Sequence, residues 1–315
     1  MKFGFSLPHS GPTSRPRELG TIARHAEKLG FDYLIESSDH IVVPEKIGSR
    51  YPYSATGEYT DSPEDLEQLS TIAFVAAKTK RVRILSAITV LPYRPPILTA
   101  KMLATIDYLS NGRLTVGVGV GWLKEEFDVL GVQFEERGKL ADEYIEAFRR
   151  LWSASPASYH GKFCNFDDVK LTPEPVQGQR LPIWVGGESI GAMRRAARLG
   201  DSWIPIGANP SRPLGTLDDL KKAVHRFKTY VREAGRSEDQ VGIGYVVPEY
   251  RLDENLLDKE EQLFVGPARK LANNVRKLEE LGISFLGFGM RQETVDGTLD
   301  EADRFASQVM DQVQS

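Results

Sequence analysis

Eight times along this 315-residue chain a short apolar strand pattern is followed by an amphipathic helix, and no other feature restricts the fold as much. Strands are expected at residues 2–7, 32–36, 82–90, 114–120, 182–185, 202–206, 241–247 and 283–288. Helices are expected at residues 17–29, 66–78, 97–109, 123–130 with 138–152, 189–199, 216–234, 267–281 and 299–313. In the first helix Leu19, Ile22, Ala23, Ala26 and Leu29 share one face, and Gly30 follows as a stop. The third strand, VRILSAITV, is apolar nearly throughout, as a strand covered on both faces must be. Eight strand–helix units is the count of a closed (β/α)8 TIM barrel, an α/β fold; a doubly wound open sheet is the competing topology. The count, and the lack of a Pro/Gly/Ser-rich linker, favour closure and a single domain over residues 1–315. Residues 44–65, rich in Tyr, Pro, Ser and Gly, fall between a strand and its own helix, so they read as a long βα loop walling the mouth. Residues 160–171 alternate like a hairpin lying outside the barrel.

Charge and composition remove several function classes. Forty Lys plus Arg against 44 Asp plus Glu give a net charge of −4 with no basic stripe, which argues against a nucleic-acid partner. The lone cysteine, Cys164, excludes an internal disulfide framework and suits a reducing compartment. The N-terminal apolar run is broken by Pro8 and His9, and no window approaches a membrane span, so a soluble cytoplasmic protein is expected. The five histidines form no H-x-H or H-E-x-x-H pair, so no metal site is expected. No nucleophile elbow and no Walker lysine loop appears.

In a barrel the chemistry stands at the C-terminal ends of the strands. Strand two ends in Ser37-Ser38-Asp39-His40, where His40 can pass protons and Asp39 can fix a tautomer or serve a ligand. A capping Asp beside a surface His is the plainer alternative. Strand three carries Ser86-Ala87-Ile88-Thr89 and leaves through the Pro-laden run from Leu91 to Pro96, which also suits an ordinary buried strand with a stiff exit. Strand four reads Gly117-Val118-Gly119-Val120-Gly121-Trp122; the third glycine of a dinucleotide fingerprint would fall on Trp122, so that motif is rejected. What remains is a strand end at Gly119 where a flat ligand or another backbone can come close. Strand five ends in Val185-Gly186-Gly187-Glu188-Ser189 before a helix, an arrangement that offers amide N–H groups to a phosphate or simply makes a tight turn. Arg194, Arg195 and Arg198 lie past the first turn of that helix and are expected to be solvated.

The stretches FGFSLPHSG, SSDHIVVP, RYPYSATGEY, the run from ITVLPYRPP to GVQFEERG, and PIWVGGESIGAMRRAARLGDSWIP together resemble the bacterial luciferase-like flavin monooxygenase superfamily. Within it, the chain is most similar to the branch that uses the deazaflavin coenzyme F420 for oxidoreduction. The resemblance covers residues 1 to about 206 closely and the remainder more loosely. It implies F420, or alternatively FMN, at the barrel mouth, with an excursion near strand seven. Asp39 matches a position near the ring and ribityl chain, and His40 a proton-transfer base. Residues 86–89 match a bulge with a non-prolyl cis peptide behind the ring, and residues 185–189 match the phosphate loop. In the sugar-phosphate dehydrogenase of this branch a catalytic Glu stands where this chain has Trp122. The substitution implies a larger, less polar substrate near Trp122 and Tyr93, with His9 also at hand, while Glu125 and Glu126 are expected to cap or pack. Three functions follow as expectations: hydride transfer between F420 and an organic substrate; oxygen insertion with reduced FMN; or flavin binding without turnover. The family's usual homodimer is also implied.

Overall fold

The first and last strands pair with each other, and that pairing closes the sheet. The computed structural model describes residues 1–59, 65–256 and 262–314. Its barrel strands are β1 Lys2–Ser6, β2 Tyr33–Glu36, β3 Arg83–Val90, β4 Leu114–Gly119, β5 Ile183–Gly186, β6 Ser202–Ile204, β7 Gly242–Val246 and β8 Phe285–Phe288. All neighbours run parallel, and the ring closes where Lys2 stands opposite Phe285. Around it lie α1 Pro16–Leu29, α2 Gln68–Lys78, α3 Pro96–Leu109, α4 Lys124–Leu130, α5 Arg137–Ser153, α6 Ile190–Leu199, α7 Leu217–Glu233, α8 Ala268–Glu280 and α9 Val295–Phe305. The (β/α)8 barrel is therefore the architecture, and the open sheet is excluded.

Local chemistry accounts for the element ends. Helix α1 begins with Pro16 at a position that needs no amide proton and stops at Gly30 in the left-handed conformation. Its Leu19, Ile22, Ala23 and Ala26 are buried against the barrel. Inside the ring, Tyr33, Ile35, Leu85, Ile204 and Phe285 pack with Trp184, and the Tyr33, Trp184 and Phe285 rings meet at 5.1–5.3 Å. This aromatic layer fills the barrel below its C-terminal mouth, so the mouth has a solid floor.

Four differences from the sequence expectation have simple causes. Strand β6 ends at Ile204 rather than 206, although Ile206 still bridges Val246, because a proline at 205 cannot donate to the ladder. The hairpin begins earlier, pairing Ala157–His160 with Asn165–Val169. The excursion after β7 contains a short parallel pair, Arg251–Leu252 with Val265–Gly266, too short to leave a periodic signal. The final helix starts at Val295, capped by the Thr294 side chain, and loosens into a π turn at Ala306–Met310. Among the described residues no helix is long and apolar enough to cross a membrane.

Candidate active site

A cavity of about 540 Å³ opens at one end of the barrel. Its wall takes Ser6 from the end of β1, residues 37–40 after β2, Ala87, Ile88 and Val90 from β3, and residues 119–122 after β4. Residues 186–189 follow from β5, with Ile204 and Ile206 from β6 and Val246 from β7. Every one of these lies at a C-terminal strand end, where barrels place their chemistry.

His40 is the centre of a hydrogen-bonded pair. Its Nδ1 lies 2.7 Å from Oε2 of Glu126, a carboxylate with no exposed surface. Oε1 of the same carboxylate accepts the backbone N–H groups of Ile41 at 2.7 Å and Val42 at 3.1 Å. Burial pulls the His40 pKa down, but the Glu126 hydrogen bond and the negative charges of Glu126, Asp65 and Asp39 outweigh it and hold the ring above its ordinary value. With Nδ1–H committed to Glu126, the neutral ring keeps its lone pair on Nε2. Glu126 thus does more than the capping or packing expected of it, since it pairs with His40 as well as holding the Ile41 and Val42 amides. The spacing of 86 residues between the partners explains why no sequence pattern announces it.

Asp39 lines the cavity, but protein donors occupy both of its oxygens. Arg94 grips it twice, at 2.7 and 3.0 Å, and the Val90 N–H donates to it at 2.6 Å. Burial pushes its pKa up to about 6 against the pull of Arg94. Arg94 also reaches Glu67 at 2.7 Å, tying β2, β3 and the start of α2 together. Behind this cluster Glu36 is fully buried, and among the described residues neither carboxyl oxygen has a well-formed hydrogen bond, the Ser38 N–H offering only a weak counter-pull. Burial first, and then the neighbouring Asp65, Asp39 and Glu67, raise its pKa to about 8. His9 stands across from these groups, with Nδ1 3.3 Å from the Ser37 hydroxyl and Nε2 3.8 Å from Asp65.

Strand β3 bulges between Ser86 and Thr89, and the Ala87-Ile88 peptide bond is cis. Ala87 and Ile88 face the cavity, whereas Ser86 and Thr89 do not. The Ser86 hydroxyl bonds the backbone of Gly117 and the Thr89 hydroxyl bonds Gln68, so these two side chains pin the bulge instead of meeting a ligand. Val185 likewise sits in the core between barrel and helices, away from the cavity. Gly119 lines the cavity as expected and also makes room for a neighbouring side chain. A Cβ there would fall 1.7 Å from Ile88 Cδ1, and one on Gly186 would fall 2.7 Å from Ile88 Cγ2. The two glycines seat the Ile88 side chain where the bulge meets the cavity.

The β5 turn runs from the strand end through two glycines to the N-terminus of α6. Gly187 adopts φ +100°, a conformation only glycine holds comfortably, and the Ser189 side chain caps α6 by accepting from Ala192 at 3.1 Å. The Glu188 carboxylate turns aside to accept from Ile206 N–H at 2.9 Å and Asn209 at 3.2 Å, and burial raises its pKa. Arg195 is buried, bonding Asp142 and the Gly138 carbonyl, which corrects its assignment as a solvated charge. Also on the cavity wall, Arg137 stacks over Phe134 at 3.7 Å, and its buried Nε has no partner among the described residues. Arg137 makes no ion pair with any described carboxylate. Glycine amides, a helix N-terminus and a guanidinium that donates Nη1 to the Phe134 carbonyl at 2.8 Å but leaves Nε without a partner among the described residues are a fit for a phosphate.

Aromatic side chains roof the remaining opening. Tyr51 and Tyr59 pack on Trp122 with centroids at 5.0 and 5.3 Å, and His40 meets Tyr59 at 5.1 Å. Tyr93 is buried against Phe127 at 5.0 Å, with its hydroxyl set toward Glu126. The loop expected at residues 44–65 supplies this roof up to residue 59; its residues 60–64 lie outside the described ones.

Comparison with known proteins agrees with this layout. An uncharacterized Mycobacterium bovis protein, Mb0965c, is 35% identical over 218 residues, covering 69% of this chain and 72% of that one. The FMNH(2)-dependent dimethylsulfone monooxygenase of Pseudomonas putida is 30% identical over 203 residues, 64% of this chain and 51% of its own length. The solved coenzyme F420 dependent tetrahydromethanopterin reductase from Methanopyrus kandleri shares the fold with TM-score 0.75 at 16% identity, covering 98% of both chains. A family model described as luciferase-like monooxygenase matches residues 1–250. The chain belongs to the luciferase-like monooxygenase family of oxidoreductases.

Proposed function

We propose that this protein transfers a hydride between coenzyme F420 and an organic substrate, with His40 exchanging the accompanying proton. The observation that carries the reading is the buried His40–Glu126 pair on the same cavity wall as the β3 bulge and the β5 anion turn. Residues 186–189 and Arg137 would hold the cofactor's phosphate, and Ala87 and Ile88 would back its ring. The cofactor supplies the hydride chemistry when bound. The protein's own part is to fix the phosphate, keep water out beneath the tyrosine roof, and offer Nε2 of His40 as the proton's acceptor or donor. Asp39 acts by holding the β2 and β3 ends in register through Arg94, one step removed from the ligand. The aromatic roof favours a substrate with an apolar, planar portion beside Trp122 and Tyr93, and His9 completes the polar side of the cavity.

A second reading is supported by one specific likeness, that to the dimethylsulfone monooxygenase, whose name specifies FMNH2. On this reading reduced FMN and O₂ replace F420, and the same phosphate turn and bulge serve. Titrating the purified protein with oxidised and reduced F420 and FMN separates the two, since F420 binding without FMN binding supports the first reading and the reverse replaces it. Binding of either with no substrate-dependent reoxidation across a broad compound screen would instead favour a carrier without turnover. Self-association is supported by α3, which exposes Ile97, Leu98, Tyr108 and Leu109 to solvent. A homodimer mass in light scattering is the expected result.

A further inference from the structure

The loop over residues 41–59 is held to the barrel by two consecutive carboxylates, and one of them also holds the base. Glu125 Oε1 accepts from Gly48 N–H at 2.8 Å and Ser49 N–H at 2.9 Å, and the Lys124 N–H donates to the Ser49 hydroxyl at 3.2 Å. Glu126 Oε1 accepts from Ile41 and Val42, while its Oε2 takes the His40 ring. Further along the loop, Tyr53 reaches the Glu188 carboxylate on the β5 side. The loop is therefore a strap that crosses the mouth from the β2 end to the β5 end.

A neutral imidazole in water carries its proton mainly on Nε2. Facing a carboxylate that can only accept, the ring must instead place the proton on Nδ1. Glu126 keeps that posture because the strap's two N–H groups grip its other oxygen. Without them the carboxylate keeps only the ring and the Tyr93 hydroxyl as partners, is open to water and turns from the ring more readily. We propose that docking of the strap sets the His40 tautomer through Glu126, so that the base is armed only when the mouth is covered. Glu126 is a positioning residue, and Glu125 acts one step further out, through the strap alone. The proposal rests on His40 handling the proton, but its test reads the ring itself and needs neither substrate nor cofactor.

The experiment is ¹⁵N spectroscopy of the histidine rings in the full-length protein, at a pH where they are neutral, with trypsin cleavage at Lys46 and Arg50 reporting strap release. The wild type should show His40 protonated on Nδ1. Glu126→Gln keeps an oxygen for Ile41 and Val42 but turns an NH₂ toward the ring, so the proton should move to Nε2. Glu125→Ala should speed cleavage roughly tenfold by removing two backbone anchors, and His40 should shift to mixed tautomers although Glu125 does not touch it. A released strap with His40 still wholly Nδ1-protonated overturns the coupling, as does an unchanged ring in Glu126→Gln or unchanged cleavage in Glu125→Ala. Loss of turnover in a His40 variant tests the hydride reading separately.

Discussion

On the β2–β4 side of the cavity, Asp39 and Glu126 use both oxygens on protein donors: Arg94 and Val90 for the one, Ile41, Val42 and His40 for the other. On the β5 side one donor is left over among the described residues, the buried Nε of Arg137, which lines the same cavity as the glycine turn. The first wall is complete within the protein and is organised before any ligand arrives. The second keeps one donor atom that an anion would satisfy. Proton handling needs the former, because a misplaced ring costs rate at every turnover. Cofactor binding tolerates the latter, because the ligand itself satisfies the donors.

Several substitutions break or sharpen this contrast. The largest effect is expected for His40→Ala, which should lower substrate-dependent cofactor turnover by about 10²–10⁴-fold while cofactor affinity, read by fluorescence titration, barely moves. Turnover at the wild-type rate would remove His40 from the chemistry. Next, Arg94→Ala strands Asp39 as an uncompensated buried charge and should cost about 3–5 kcal/mol in denaturant unfolding.

Glu36→Gln should act in the opposite direction. The unfolded carboxyl titrates near 4.5 and the folded one near 8, so between those values the folded protein retains a proton that the unfolded chain has released. Wild-type stability should therefore fall as pH rises through that window, and the Gln variant should lack this slope and gain a few kcal/mol relative to wild type by pH 9. Parallel stability curves for the two proteins from pH 5 to 9 would refute a buried, protonated Glu36. The smallest effect is expected on the other wall: Arg137→Gln should weaken cofactor binding about tenfold, less so at high salt, with folding stability unchanged. A large loss of stability there would mean that the guanidinium is structural.

Much of the fold was legible because burial imposes periodicity. Strands covered on both faces must be apolar, helices on a barrel must carry one apolar stripe, and Gly30 must end α1, so order and type of elements could be read locally. The short pair after β7 had no such period. The candidate site was legible where a motif lies within a few residues, as with residues 37–40 and 186–189, which do reach one cavity. It was illegible for Ser86, Thr89 and Val185, because strand alternation at a bulge does not say which side chain faces inward once the register slips. Gly119 does line the cavity, but the Ile88 side chain that its missing Cβ admits was not legible, since it comes from the neighbouring strand.

The sequence by itself determined a ring of eight strand–helix units, the strand ends that carry polar residues, and a family membership written in contiguous motifs. Only the tertiary structure decided that Glu126 faces His40, that Arg94 neutralises Asp39, and that Arg137 lines the same cavity as the glycine turn. These pairings join residues up to 86 positions apart, and charges so separated meet only when barrel closure and strand register bring their loops to one rim.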